Sequence, residues 1–98
     1  MLLKTAIRSK KAMSFEDAFC SKSRMKILLT LKRLGQLDTS AVARQLRSSY
    51  GYADFHLRIL EEQGVLTHAR FGKRSRIYRF NESPRSRAVL ELLVAWET

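Results

Sequence analysis

The stretch "RSSYGYADFHLR", Arg47 to Arg58, crowds unusual chemistry into the opening of a helical pattern. Ser48, Ser49, Tyr50 and Tyr52 bring hydroxyls that donate hydrogen bonds to phosphate oxygens or to base acceptors. Arg47 and Arg58 bring guanidinium groups suited to phosphate, and Gly51 lets a flat partner come close to the backbone. Asp54 and Phe55 stand apart from this set. The aspartate is free to turn toward the helix N-terminus, and the phenylalanine to pack on a neighbour or on a thymine methyl. A second set follows in "RFGKRSRIYR", where Arg70, Lys73, Arg74, Arg76 and Arg79 fall within ten residues that contain no acid. Both sets suit the holding of a polyanion rather than the making or breaking of bonds.

Composition points the same way. Nineteen Lys and Arg oppose nine acidic residues, a formal net charge of +10 on 98 residues. Such an excess is the electrostatic footprint of a nucleic-acid binder, the alternative being charge that serves solubility alone. The length and the 45% hydrophobic content suffice for one compact domain, residues 1–98. Cys20, the single cysteine, has no partner for an internal disulfide and reads as a small buried side chain in a reducing compartment. No apolar run approaches the roughly 20 residues of a membrane span. "MLLKTAIRSKKAM" passes from apolar to basic, the reverse of a secretory signal. A cytoplasmic, nucleoid-associated protein with no membrane partner is expected.

Catalysis finds no support. Neither a paired-carboxylate pocket, nor a Ser/His/Asp set, nor a glycine-rich phosphate loop can be assembled, and Glu61 and Glu62 read as the solvent face of a helix. His56, between Phe55 and Leu57, reads as a packed histidine, because distant His68 offers it no paired ligand spacing.

These residues need elements to hold them. Residues 1–20 read as an N-terminal arm or helix leaning on the domain through Leu3 and Ile7, with a short helix from Ser14 to Cys20 opened by a Ser14/Asp17 capping pattern. "SRMKILLTLKRLGQL" places Ile27, Leu28, Leu31 and Leu34 on an inner face and Arg24, Lys26, Lys32 and Arg33 elsewhere, with Ser23 as cap and Gly35 as stop. A shorter helix follows, capped by Asp38, Thr39 or Ser40, with Val42, Ala43 and Leu46 inward. The connection "RSS" then leads to a helix over Ser49–Gln63 carried by Ala53, Leu57 and Leu60 and ended by Gly64. Past it the period turns from helical to alternating. "VLTHAR" and "RIYRF" read as two strands of a hairpin with a cationic tip, Tyr78 and Phe80 sharing a face that Arg76 partly joins. Ser83 and Pro84 open a last helix over residues 83–97. Its Val89, Leu92, Leu93 and Trp96 exceed what a small core needs, which predicts burial against a second copy together with Leu3, Ile7 and Phe15.

The segments "SRMKILLTL", "TSAVARQL", "FHLRILEEQGVL" and "GKRSRIYRF" together resemble the winged helix-turn-helix domain of the ArsR-type transcriptional regulators. "HLRILEEQGVL" is the most specific of them, and the likeness covers residues 21–81 as a winged-helix core. It implies an α+β, mostly helical fold with a two-stranded wing and flanking N- and C-terminal dimerisation helices. It implies a homodimer on double-stranded DNA, with the helix Ser49–Gln63 in the major groove and the wing on backbone or minor groove. Regulators of this type often sense metals through cysteines of the helix-turn-helix or through histidines and acids of the terminal helices. "TSAVARQL" has no cysteine and "SPRSRAVLELLVAWET" no histidine. The expectation is a sequence-specific regulator, repression its mode, with no cofactor, no metal and no catalysis, its effector unknown. Alternatives are a sequence-tolerant architectural DNA-binding protein, and a protein-interaction module using Tyr50, Tyr52 and Phe55.

Overall fold

Side-chain caps set most of the helix starts. The computed structural model describes residues 14–72 and 75–97. Helix α1 spans Phe15–Phe19, and the Ser14 hydroxyl accepts from the Asp17 amide at 3.0 Å. Helix α2 spans Lys22–Leu34 and is capped by Ser21 rather than Ser23. Only a residue with extended backbone just before the first helical one can turn its hydroxyl onto the free amides; Ser21 has that backbone, and Ser23 is already helical. Gly35, at φ +90°, ends α2 in a conformation that L side chains rarely adopt.

Strand β1, Gln36–Asp38, was not expected from the sequence. Three residues carry no readable period, and it is a strand because β3 supplies its ladder partners, Leu37 lying opposite Tyr78. Asp38 then caps α3, Thr39–Leu46, accepting from the Ala41 amide at 2.8 Å. The turn opens on Arg47, a non-glycine residue in the left-handed region at φ 56°. Ser49 caps α4, Tyr50–Glu62, accepting from the Tyr52 amide at 3.1 Å. Strands β2, Leu66–Phe71, and β3, Ser75–Phe80, form the hairpin. The hairpin is the two-stranded wing that the sequence suggests, and β1 extends it to a three-stranded antiparallel sheet in the order β1-β3-β2. Helix α5, Pro84–Glu97, begins where the Ser83 hydroxyl accepts from the Ser86 amide and donates to the Gly64 carbonyl.

One core joins these elements. Ile27, Leu28 and Leu31 of α2 meet Val42 and Ala43 of α3 and Ala53, Leu57 and Leu60 of α4; Val65, Leu66, Tyr78 and Leu93 close it. The expected inner face of α2 holds except at Leu34, which is exposed. Helical spacing sets which side of α2 faces inward, but tertiary packing sets how far along its length that side is covered. Cys20 is also exposed, at the C-terminal end of α1, contrary to the expectation of a buried thiol. Phe19, the last residue of α1, packs against the core, and Cys20 follows it as the C-terminal cap.

Tyr78 is wholly buried on β3, its hydroxyl has no hydrogen-bond partner among the described residues, and burial raises its pKa above the ordinary value. Replacing it by Phe removes an orphaned polar atom while keeping the ring, so Tyr78→Phe should leave denaturant stability unchanged or raise it by about 1 kcal/mol. Leu57→Ala, by contrast, should lower it by about 2–5 kcal/mol, through the lost transfer energy and the cavity left among the other helices.

Candidate nucleic-acid interface

Helix α4 is divided along its length and around its axis. Ala53, His56, Leu57 and Leu60 face inward. That leaves the first turn and the outer side uncovered: Tyr50 is 48%, Tyr52 46% and Phe55 57% exposed, values that exclude these rings from the core. Ser49, Gly51 and Arg58 are exposed with them, as is Arg47, and Ser48 is half-buried. A Cβ built on Gly51 meets no atom within 4 Å, so the space beside that backbone is open. Of the residues expected to touch a polyanion, Ser49, Tyr50, Gly51, Tyr52, Phe55 and Arg58 thus lie away from the buried side of α4.

Two links set the angle of that face. Ser23 of α2 and the Tyr52 hydroxyl share a hydrogen bond of 2.9 Å, which engages one of the phenols within the protein. The second link was missed in the sequence. Arg24, expected on the solvent side of α2, is 8% exposed. Its Nε donates to the Ala18 carbonyl at 2.8 Å, its Nη2 to the Asp17 carbonyl and its Nη1 to His56 Nδ1 at 2.9 Å. A single arginine therefore ties the end of α1 to the middle of α4. Arginine in a run of cations gives no sequence signal for such a role; only the backbone carbonyls at the end of α1 create it.

The bond also fixes the histidine. A guanidinium cannot accept, so Nδ1 of His56 must be the bare nitrogen and the ring neutral with its proton on Nε2. Burial lowers the His56 pKa, and the Arg24 charge lowers it further. The rings of Tyr52 and Phe55 stand edge-on to the imidazole, at 4.5 and 5.1 Å between centroids. Phe55 therefore packs on His56 as well as facing outward.

Asp54 does not turn to the helix N-terminus. Its Oδ2 accepts from Arg58 Nε at 2.8 Å, one turn along α4, and its Oδ1 accepts from Arg76 Nη2 at 2.7 Å, on the wing. Arg76 is accordingly largely covered, as its place beside Tyr78 on the strand suggests. Asp38, Thr39, Ser40, Tyr50, Ser75 and Arg76 line one cleft, which sets the first turn of α4 beside the start of β3, at the tip end of the wing. Across the ladder Arg70 lies opposite Arg76, on the face that carries Tyr78, whereas the exposed Arg79 points to the other face. Lys73 and Arg74 lie outside the described residues.

The candidates for a second interface are distributed unevenly. Leu93 belongs to the core of the protein's own fold and Val89 packs against that core, while Leu92 is exposed and Trp96 is 84% exposed. Leu93 is thus removed from the set of residues free to meet a second copy. Leu3 and Ile7 lie outside the described residues, as does the Phe15 side chain. Among the described residues no three or more His, Cys, Asp and Glu side chains gather in a way that could hold a metal ion. No helix among them is long and apolar enough to cross a membrane.

Two helices, α3 and α4, joined by a tight turn, followed by a β-hairpin and braced by α2, define a winged helix-turn-helix protein. Solved structures share this fold. Reduced HlyU from Vibrio cholerae N16961 is 25% identical over 94% of each chain, with a TM-score of 0.67. The homodimeric winged helix-turn-helix DNA-binding domain of Mb0332 from Mycobacterium bovis, a possible ArsR-family transcriptional regulator, is 20% identical over 82% of this chain and 71% of its own, with a TM-score of 0.64. The antimony-specific transcriptional repressor AntR is 21% identical over 98% and 93%, with a TM-score of 0.64. No family model and no curated protein matches the sequence. The resemblance to ArsR-type regulators read from the sequence is thus met by their fold.

The neutral imidazole has a consequence for stability. Because folding depresses the His56 pKa below the unfolded value of about 6.5, the unfolded chain takes up a proton first as the medium is acidified. The contribution of the Arg24–His56 contact is fully present above that pH and is lost as the pH falls through the folded pKa. The melting temperature should therefore drop with acidification below about pH 6.5, and His56→Gln, which keeps an acceptor but does not titrate, should flatten that part of the profile.

Proposed function

We propose that the protein is a transcriptional regulator that binds double-stranded DNA as a homodimer and reads sequence with the first turn of α4. The observation that carries this reading is the exposed side of α4 formed by Ser49, Tyr50, Gly51 and Phe55, with Tyr50 beside the start of β3 at the tip end of the wing, in a winged helix-turn-helix fold. In such a fold the second helix of the motif enters the major groove N-terminus first, while phosphate contacts from its surroundings fix its register. Tyr50 donates to a base or phosphate, the Gly51 backbone permits close approach, and Phe55 meets a thymine methyl. Arg47, Arg70, Lys73 and Arg74 supply phosphate contacts, and the +10 charge raises the encounter rate. Mb0332, among the structures of the same fold, is described as a homodimeric DNA-binding domain, and AntR as a repressor. Repression, the mode named for AntR, is the mode proposed here. No metal, cofactor or catalytic step is invoked.

Dimerisation through α5 is supported by Trp96 and Leu92, large apolar side chains left in water by the single chain. Two copies joined there present two recognition helices, matched to half-sites about 34–36 Å apart. A sequence-tolerant architectural role is the second reading. It is favoured by the first turn of α4, which has no arginine for the bidentate guanine contact that most often specifies a base.

Gly51→Ala separates fold from function. Alanine is the better helix former by about 1 kcal/mol and nothing crowds the new methyl, so the melting temperature should hold or rise while affinity for duplexes selected from a random pool falls. Unchanged affinity would place the DNA elsewhere. Lys73→Ala with Arg74→Ala should weaken every duplex alike and reduce the salt slope by about 0.9 per lost phosphate contact. Trp96→Ala should move the sedimentation profile toward the monomer.

A further inference from the structure

We infer that Asp54 is a specificity-determining residue that acts by restraint, its carboxylate holding Arg58 of the recognition helix and Arg76 of the wing away from indiscriminate phosphate contact. This rests on duplex DNA being the partner. An acid on the DNA side of a recognition helix is costly beside a polyanion unless it serves something. Here each carboxylate oxygen takes a different guanidinium, at 2.8 and 2.7 Å, from two separate elements. The carboxylate is four-fifths covered, with a relative exposure of 19%, and so is Arg76 at 18%, which marks the wing-side arm as a packed bridge rather than a passing surface pair. Arg58 is the looser arm, at 58%.

The surroundings explain why such a bridge is needed. Arg70 lies directly across the ladder from Arg76, and like charges in that arrangement repel. Asp54 brings the opposite charge to Arg76 and ties the wing to α4. Phosphate contacts add affinity that is blind to sequence, whereas discrimination needs contacts made only when the bases are right. Withdrawing two guanidinium groups from the first kind lowers the background of binding to arbitrary sequence and leaves the first turn of α4 to decide.

The test uses the full chain, a random-sequence duplex, and duplexes enriched by selection from a random pool. Asp54→Asn keeps the side-chain shape, removes the charge and leaves one acceptor where there were two, so at least one of the two arginines loses its hold on this side chain. Affinity for the random-sequence duplex should rise, its log–log salt slope should steepen by about 0.9 for one new phosphate contact or about 1.8 for two, and the ratio of enriched to random affinity should fall. Removal of one negative charge would by itself raise affinity, so Arg76→Gln is measured in both backgrounds. Restraint requires Arg76→Gln to leave the slope nearly unchanged in the wild-type chain and to reverse about 0.9 of the steepening in Asp54→Asn. An equal effect in both backgrounds, or an Asp54→Asn slope like that of the wild type, overturns the inference. Should Asp54→Asn fail to fold, Arg76→Gln alone decides, since a loss of about 0.9 in slope from the wild-type chain shows an arginine already on the DNA. A wild-type chain with no salt-dependent duplex binding overturns the DNA reading itself, a result distinct from the others.

Discussion

A helix can present its side chains to a large partner only if its opposite side is held firmly enough to keep the presented side at one angle. In this protein that hold is the packing of Ala53, Leu57 and Leu60 of α4 against α2, α3 and the sheet, all three fully buried. Ala53 matters for its smallness, since a methyl at the crossing lets α3 lie close over the first turn of α4. Everything proposed for the outer face depends on this inner one. Tyr50, Gly51 and Phe55 are outward because the residues interleaved with them at helical spacing are committed to the core.

Charge is managed as closely as apolar area. The chain is strongly basic, yet its cations are not equivalent. Arg24 is buried and its guanidinium is satisfied by two carbonyls and an imidazole, so it serves as a brace between α1, α2 and α4. Its cost of burial is met by these three acceptors, which is the condition on which a buried arginine is tolerated. Arg58 and Arg76 are paired through Asp54, and Lys32 pairs with Glu97 to join α2 to the end of α5. Counting basic residues therefore overstates what is presented to a polyanion, since carbonyls and an imidazole commit Arg24 internally and acids commit Arg58, Arg76 and Lys32.

Local patterns in the sequence had clear outcomes. The helical spacing of Ile27, Leu28 and Leu31 and of Ala53, Leu57 and Leu60, the stops at Gly35 and Gly64, and the Ser83–Pro84 start all stand as expected, because each depends on neighbours within a turn of the helix. Other expectations failed where a distant partner decided. Strand β1 exists only through its pairing with β3. Leu34 and Cys20, at the C-terminal ends of their helices, are exposed among the described residues. Asp54, read as a possible helix-terminus charge, was claimed by an arginine from the wing.

The amino-acid sequence alone determined the order of the helices and the hairpin and the winged-helix class, and it singled out the stretch from Arg47 to Arg58 as the one proposed for recognition. Periodicity, caps and turn residues act over three or four positions and are visible in a linear string. Tertiary structure decided which of those side chains remain available: Tyr52 bonded to Ser23, His56 neutral beneath Arg24, and the arginines of helix and wing gathered on one carboxylate. Hydrogen bonds and ion pairs reach only about 3 Å and are indifferent to distance along the chain, so folding alone chooses their partners.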